Sequence, residues 1–171
     1  ITEIYDYLRL LYASIGKPYC VNCGTEITTV SVDSIVEKES KNAIGKKIII
    51  MAPVVRNRKG EYSKQLEGYR KAGYVRVRID GENHTLDEEF NLDKQKKHTI
   101  EIIIDRLVGK EDMASRFAGS VETAVGLADG LVIISVDGKE TLYSTKHACP
   151  ECGFSFPEIS PRIFSFNTPF G

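Results

Sequence analysis

The sequence predicts an α+β fold, a small mixed or antiparallel sheet with helices. Three observations lead there. Helical and strand-like periodicities interleave irregularly along the chain, without a regular strand–helix–strand rhythm. Asp80-Gly81 and Asp137-Gly138 are hairpin-type turn signals, the second between two clear strand patterns, so at least one strand pair runs antiparallel. All four cysteines stand in two Cys-x-x-Cys pairs near the two ends, Cys20 with Cys23 and Cys149 with Cys152. Such turns present paired thiolates to a metal. About 125 residues separate the pairs, so the sheet is expected to be inserted through a zinc-binding neck.

Each element has its own signal. Ile4, Leu8, Leu11 and Ile15 recur at helical spacing, which predicts an amphipathic helix over 2–14, ended by Gly16 and Pro18. Ser31 reads as the N-cap of a short helix running through Lys41, with Val32, Ile35 and Val36 inward. Ile48 to Met51 is a continuous apolar run and so a buried strand; residues 53–60 follow as a basic loop. A helix over 62–71 carries Leu66 and Tyr69 inward and stops at Gly73. Residues 74–79 alternate cleanly, with Tyr74, Arg76 and Arg78 on one face and Val75, Val77 and Ile79 on the other. Residues 82–98 read as loop with at most a short edge strand, and 99–108 as a strand with Ile100, Ile102 and Ile104 on one side. A helix from about Met113 carries Phe117, Val121, Ala124 and Ala128 and stops at Gly130. Strands over 131–136 and 139–144 close the pattern, and a Pro-rich tail begins at Pro157.

Composition narrows the function classes. With 171 residues the chain can bury one core and a small appendage. A net charge of −1 supplies no global basic field, so any basic patch is local. No apolar run reaches the length of a membrane span, and reduced cysteines in metal-type spacing fit the cytoplasm better than a disulfide scaffold. The abrupt ends suggest a piece of a longer protein.

Three constellations carry chemistry. Four thiolates, Cys20, Cys23, Cys149 and Cys152, would close a tetrahedral zinc shell with no position for water, which makes the metal structural. A redox site is the weaker reading, because both pairs precede Gly in loops rather than opening a helix; His147 beside Cys149 is the bland neighbour. The second constellation is basic: Arg56, Arg58 and Lys59 in the loop, Arg76 and Arg78 on one strand face, Arg106 at a strand end. Scattered solvated charge is its default reading. Against that, the alternating Arg face has no sequence-local acidic partner, and Arg suits bidentate carboxylate or phosphate recognition. An acidic protein partner and a nucleic-acid backbone both satisfy it. The third would be catalytic, and its motifs are missing: no phosphate loop, no nucleophile elbow, no His-Glu-x-x-His. Glu101 and Asp105, alternating on one strand face, are commonplace exposed carboxylates. The piece itself is not expected to be an enzyme.

Several stretches converge on one family. Thr2-Glu3-Ile4-Tyr5-Asp6-Tyr7-Leu8-Arg9-Leu10-Leu11-Tyr12-Ala13, the knuckle Cys20 to Gly24, and Pro53-Val54-Val55-Arg56-Asn57-Arg58-Lys59-Gly60-Glu61 resemble UvrA, the first component of the ABC excinuclease. So do Gly73 to Glu82, Asp105-Arg106-Leu107-Val108, Cys149-Pro150-Glu151-Cys152-Gly153-Phe154-Ser155 and the closing phrase from Ser160 to Gly171. The resemblance covers the whole chain. It implies the damage-sensing ATPase of bacterial nucleotide excision repair, a homodimer with two ATP-binding cassettes per chain that meets damaged DNA. On this likeness residues 1–30 are a cassette helix and first zinc knuckle, 31–145 the inserted UvrB-binding domain, and 146–171 the second knuckle and start of the signature region. ATP would be bound only by the full-length parent. The family's finger would pair Cys149 and Cys152 with cysteines beyond this chain, whereas the neck arrangement joins all four here. The resemblance also implies that Arg76 and Arg106 dock UvrB; Arg78, Arg56, Arg58 and Lys59 join them on chemistry alone. The runner-up is a DNA-contacting module using the same basic loop and face.

Overall fold

The structure is a computed structural model, and it describes residues 2–110, 112–146, 149 and 161–164. Contacts divide the chain into two compact units, one from residues 1–29 and 147–171, the other from Val30–Lys146.

In the first unit, helix α1 (Thr2–Ile15) holds a short 3₁₀ turn, Pro161–Phe164. Tyr5 donates its hydroxyl proton to the Phe164 carbonyl, and the Tyr12 and Phe164 rings stack with centroids 6.0 Å apart. The predicted apolar stripe of α1 is real in spacing but uncovered, since Ile4, Leu8, Leu11 and Ile15 are all exposed. Gly16 donates its N–H to the Tyr12 carbonyl and closes the helix.

The second unit is built on six strands in the order β3-β2-β4-β1-β5-β6, every neighbouring pair antiparallel. The strands are β1 (Lys47–Lys59), β2 (Arg76–Ile79), β3 (Glu82–Thr85), β4 (Lys97–Val108), β5 (Leu131–Val136) and β6 (Lys139–Ser144). Helices α2 (Val32–Asn42), α3 (Ser63–Lys71) and α4 (Ala114–Leu127) complete it. Ser31 caps α2 as expected, its Oγ accepting from the Ser34 N–H at 3.2 Å. Both hairpin turns form: Asp80 and Gly81, then Asp137 and Gly138, all take positive φ, the type I′ geometry that matches strand twist.

The core lies between one face of this sheet and α4. Ile48, Ile50, Ala52, Val77, Ile100, Ile102, Val132 and Ile134 meet Phe117, Val121 and Ala124 there. Apolar burial on this scale, about 25 cal/mol per Å², is the main stabilising contribution. Helix α2 is pinned to β6 by a buried hydrogen bond from the Tyr143 hydroxyl to the Glu39 carboxylate. Burial, and then the carboxylate beside it, push the Tyr143 phenol well above its ordinary value.

One expectation changes. The basic stretch is no loop, because β1 runs on through Lys59, pairing Arg58 with His98 and Lys59 with Lys97. Pro53, which looked like the break, sits where β1 has passed its paired stretch with β5 and next to a register shift, a place that tolerates a missing N–H. Residues 82–85 form the short edge strand expected there, β3 of the β2–β3 hairpin.

His98 ties the hairpin to the chain before β4. It is buried, with Nδ1 2.7 Å from Asp80 Oδ2 and Nε2 2.9 Å from the Asp93 carbonyl, while the Thr99 N–H donates to Asp80 Oδ1 at 2.7 Å. Both ring nitrogens face acceptors, an arrangement that favours the doubly protonated ring. The Asp80 carboxylate, and then the Asp93 carbonyl, raise the His98 pKa above its ordinary 6.5. A raised pKa contributes stability that is complete below 6.5 and is lost as pH climbs through the folded value. Thermal melting is expected to show Tm falling as pH rises past 6.5, and His98→Gln should flatten that dependence.

Candidate functional site

The predicted site residues separate into three groups. The first is set by the β1–β4 ladder. Arg76 pairs with Ile103 and Arg78 with Glu101, so by the period of two all four point away from α4, onto the open face of the sheet. Strict alternation would then place Asp105 on that face and Arg106 in the core. It does not, because Ile50 pairs with Asp105 while its neighbour Met51 pairs with Ile103. Ile104 is therefore an extra residue, a β-bulge that reverses the faces beyond it. Asp105 turns toward α4, where it accepts from Arg116 Nη2 at 2.9 Å, Arg116 Nε at 3.0 Å and Ser120 Oγ at 2.9 Å. Arg106 turns out to join Arg76. The expected alternation of Glu101 with Asp105 on one face is corrected by the same bulge.

Arg76, Ile103 and Arg106 together line two neighbouring shallow clefts of about 300 and 240 Å³. Tyr74 and Val75 border the first; Asn83, His84 and Glu88 border the second. Both guanidinium groups are exposed, and among the described residues neither has an ion-pair partner.

Arg78 is different. Its guanidinium holds the buried Glu101 carboxylate and, across the open face, both oxygens of Glu140 on β6. β4, β1 and β5 lie between β2 and β6, so this contact requires the sheet to curl toward its open face. The curl encloses Met51 and Ile133, which pair across β1 and β5 on that side. The Glu140 and Glu101 hydrogen bonds raise the Arg78 pKa further, so its charge is permanent. Sequence reading took Glu101 for an exposed carboxylate and paired neither acid with Arg78, because both are remote in the chain; Glu101 is instead buried, and its place opposite Arg78 becomes visible only once register is known.

The second group lies at the far end of the ribbon. Arg58 and Lys59 are exposed there, opposite His98 and Lys97. They are roughly 20 Å from the Arg76 level, at about 3.3 Å per residue along β4. Arg56, nearer the middle, is half-buried, with Nη1 enclosed and lacking a hydrogen-bond acceptor among the described residues. The structure thus does not unite the basic constellation.

The third group is the thiols. Cys20 donates its N–H to the Thr25 carbonyl and Gly24 its N–H to the Cys20 carbonyl, folding a tight knuckle closed by the Tyr19–Glu26 bridge. The sulfurs of Cys20, Cys23 and Cys149 all lie within 4.8 Å of one another, and Cys23 Sγ is 3.3 Å from Cys149 Sγ. Thiolates about 2.3 Å from a tetrahedral ion stand about 3.8 Å apart, so these three fit a metal centre. The Thr25 hydroxyl and backbone, and then Cys149, bring the Cys23 thiol down to about 6, which favours the ligating thiolate at neutral pH. Cys152 and His147 lie outside the described residues.

Comparison with known proteins decides the family. A model of the UvrA interaction domain matches residues 31–138. The chain belongs to the UvrA family. Across its whole length it is 57% identical to UvrABC system protein A of Clostridium acetobutylicum, 52% to that of Bacillus subtilis and 49% to that of Listeria monocytogenes. It spans 18% of the length of each of these relatives. The matched interaction domain coincides with nearly all of the second unit, so both Arg groups belong to it.

Glu101 stays buried on the strength of Arg78. Replacing Arg78 by Met should cost about 2 kcal/mol or more in urea unfolding, because it strands that carboxylate. Adding Glu101→Leu is expected to recover most of the loss.

Proposed function

We propose that this chain is the UvrB-docking module of a UvrA protein that works in nucleotide excision repair in the cytoplasm, and that Arg76 and Arg106 make the contact. One observation carries the reading: the Ile104 bulge brings two exposed guanidinium groups, without an ion-pair partner among the described residues, onto one cleft of the interaction domain. Arg presents a planar fork that matches a carboxylate, and the groups bordering it offer both apolar wall and hydrogen-bond partners. Pairs of this kind speed encounter and fix register, so docking should weaken as ionic strength rises. Arg78 supports the site from the same face by holding the curl, with its own charge already committed to Glu101 and Glu140. ATP turnover and damage recognition fall to the rest of the parent protein.

Capture of UvrB by the immobilised chain tests this. Arg76→Glu and Arg106→Glu should each weaken capture by roughly thirtyfold, the scale of an interfacial Arg anchor, with unchanged Tm. Unaltered capture by both variants overturns the assignment.

The thiol centre is proposed to hold structural zinc, with Cys152 joining Cys20, Cys23 and Cys149 as the fourth ligand. The support is the three gathered sulfurs and the acidified Cys23 thiol. A closed thiolate shell leaves no position for water and so supplies stability rather than catalysis. Elemental analysis of the four single Cys→Ser variants should show the same zinc lost from every one. Loss confined to one pair would mean that each pair belongs to a different centre.

A further inference from the structure

The ladder between β1 and β4 ends on a pairing that works against folding. Lys59 stands directly opposite Lys97, and like charges facing each other across an antiparallel pair repel. Arg58 and Lys96 flank them, all four side chains are exposed, and none has an ion-pair partner among the described residues. The nearby Lys94 pairs with Glu61 at 2.7 Å, Asp80 is engaged with His98, and Asp93 Oδ1 accepts the Gln95 N–H at 2.9 Å, so none of these acids pairs with the four cations. The Tyr62 side chain braces the backbone beneath these cations. The Tyr62 hydroxyl lies 3.1 Å from the Arg58 carbonyl and 3.0 Å from that of Lys59, and the Tyr62 ring presses so closely on Gly60 that an added Cβ would sit 2.8 Å from it.

From this we infer that the β1–β4 ribbon tip is a second interaction surface, one that holds the phosphate backbone of a nucleic acid through Lys59, Lys97, Arg58 and Lys96. An acidic protein face is the other occupant that chemistry allows, and the tip argues against it. Protein interfaces are anchored by apolar and aromatic side chains in pockets, whereas Arg58, Lys59, Gln95, Lys96 and Lys97 expose only polar and charged groups. Phosphate binding asks for no such anchor; it needs cations free to meet phosphates, here on a hydrogen-bonded ribbon, and gains from released counterions. The surface is separate from the Arg76 cleft, so the same domain can meet a protein at one end and a nucleic acid at the other.

Fluorescence anisotropy of the chain with a fluorescein-labelled, mixed-sequence, undamaged DNA duplex tests the inference. Binding at low salt should weaken on salt addition with a log–log slope of about −3, as for three to four neutralised phosphates. The double variant Lys59→Glu, Lys97→Glu should weaken binding at least about tenfold and flatten the slope by roughly 2. The single Lys97→Glu separates this from misfolding: it turns the repulsive pair into an attractive one, so Tm holds or rises while DNA affinity falls. UvrB capture by Lys97→Glu should be unchanged. No duplex binding at low salt, or binding that both variants leave intact, overturns the inference. Loss of UvrB capture by Lys97→Glu with DNA binding intact overturns it too, and makes the tip a protein contact.

Discussion

The long antiparallel ladder between β1 and β4 is the constraint on which the rest of the interaction domain depends. It supplies the two central strands, so the core against α4 rests on the inward residues of both. Its irregularities matter as much as its regular pairs. The register shifts between Ile50 and Met51, between Pro53 and Val55, and between Val55 and Arg58. Each shift exchanges the face that later side chains occupy, since a slip of one residue turns a strand over. The first one decides that Arg106, rather than Asp105, shares a surface with Arg76.

Much of the fold was legible because local signals agreed with tertiary need. The capping Ser31, both Asp-Gly turns and the inward stripe of α4 state in sequence what the structure uses. The misreading of residues 53–60 has a physical cause. Pro53 and the Asn57–Gly60 stretch carry the composition of a breaker, yet β4 offers a continuous partner and the bulges absorb the misfits, with Asn57 taking a positive φ. Propensity lost to cross-strand hydrogen bonding.

The site was legible in its residues but not in its grouping. Arg76, Arg78 and Arg106 were recognisable as cations of interest, whereas their different duties follow from pairings between strands far apart in sequence. Arg78 meets Glu101 and Glu140 and becomes a brace for the curled sheet; Arg76, two residues earlier on the same face, meets neither. A bulge leaves no mark in a run such as Ile102-Ile103-Ile104, where every residue is apolar and either face would accept it. The face of Arg106 was therefore unreadable from periodicity. The knuckles were the opposite case, since a Cys-x-x-Cys turn declares its geometry locally and only the identity of its partner thiols is remote.

A net charge of −1 conceals how unevenly the charge is distributed. Several acids of this domain are committed inside it. Glu101 and Glu140 hold Arg78, Asp105 holds Arg116, Asp80 holds His98, and Glu61, Glu37 and Glu67 each hold a lysine. Every internal pairing removes one charge of each sign from the outward field at short range, so what a partner meets is the remainder. On the open face and at the ribbon tip that remainder is positive: Arg76 and Arg106 at one level, Arg58, Lys59 and Lys97 at another. Repulsion between Lys59 and Lys97 is a cost that no ion pair to either lysine offsets among the described residues, while an Asp or Glu at either position would remove it. A sequence that pairs many of its acids internally, yet leaves these cations without an ion-pair partner among the described residues, has its binding capacity concentrated where the ladder's bulges and its end place them.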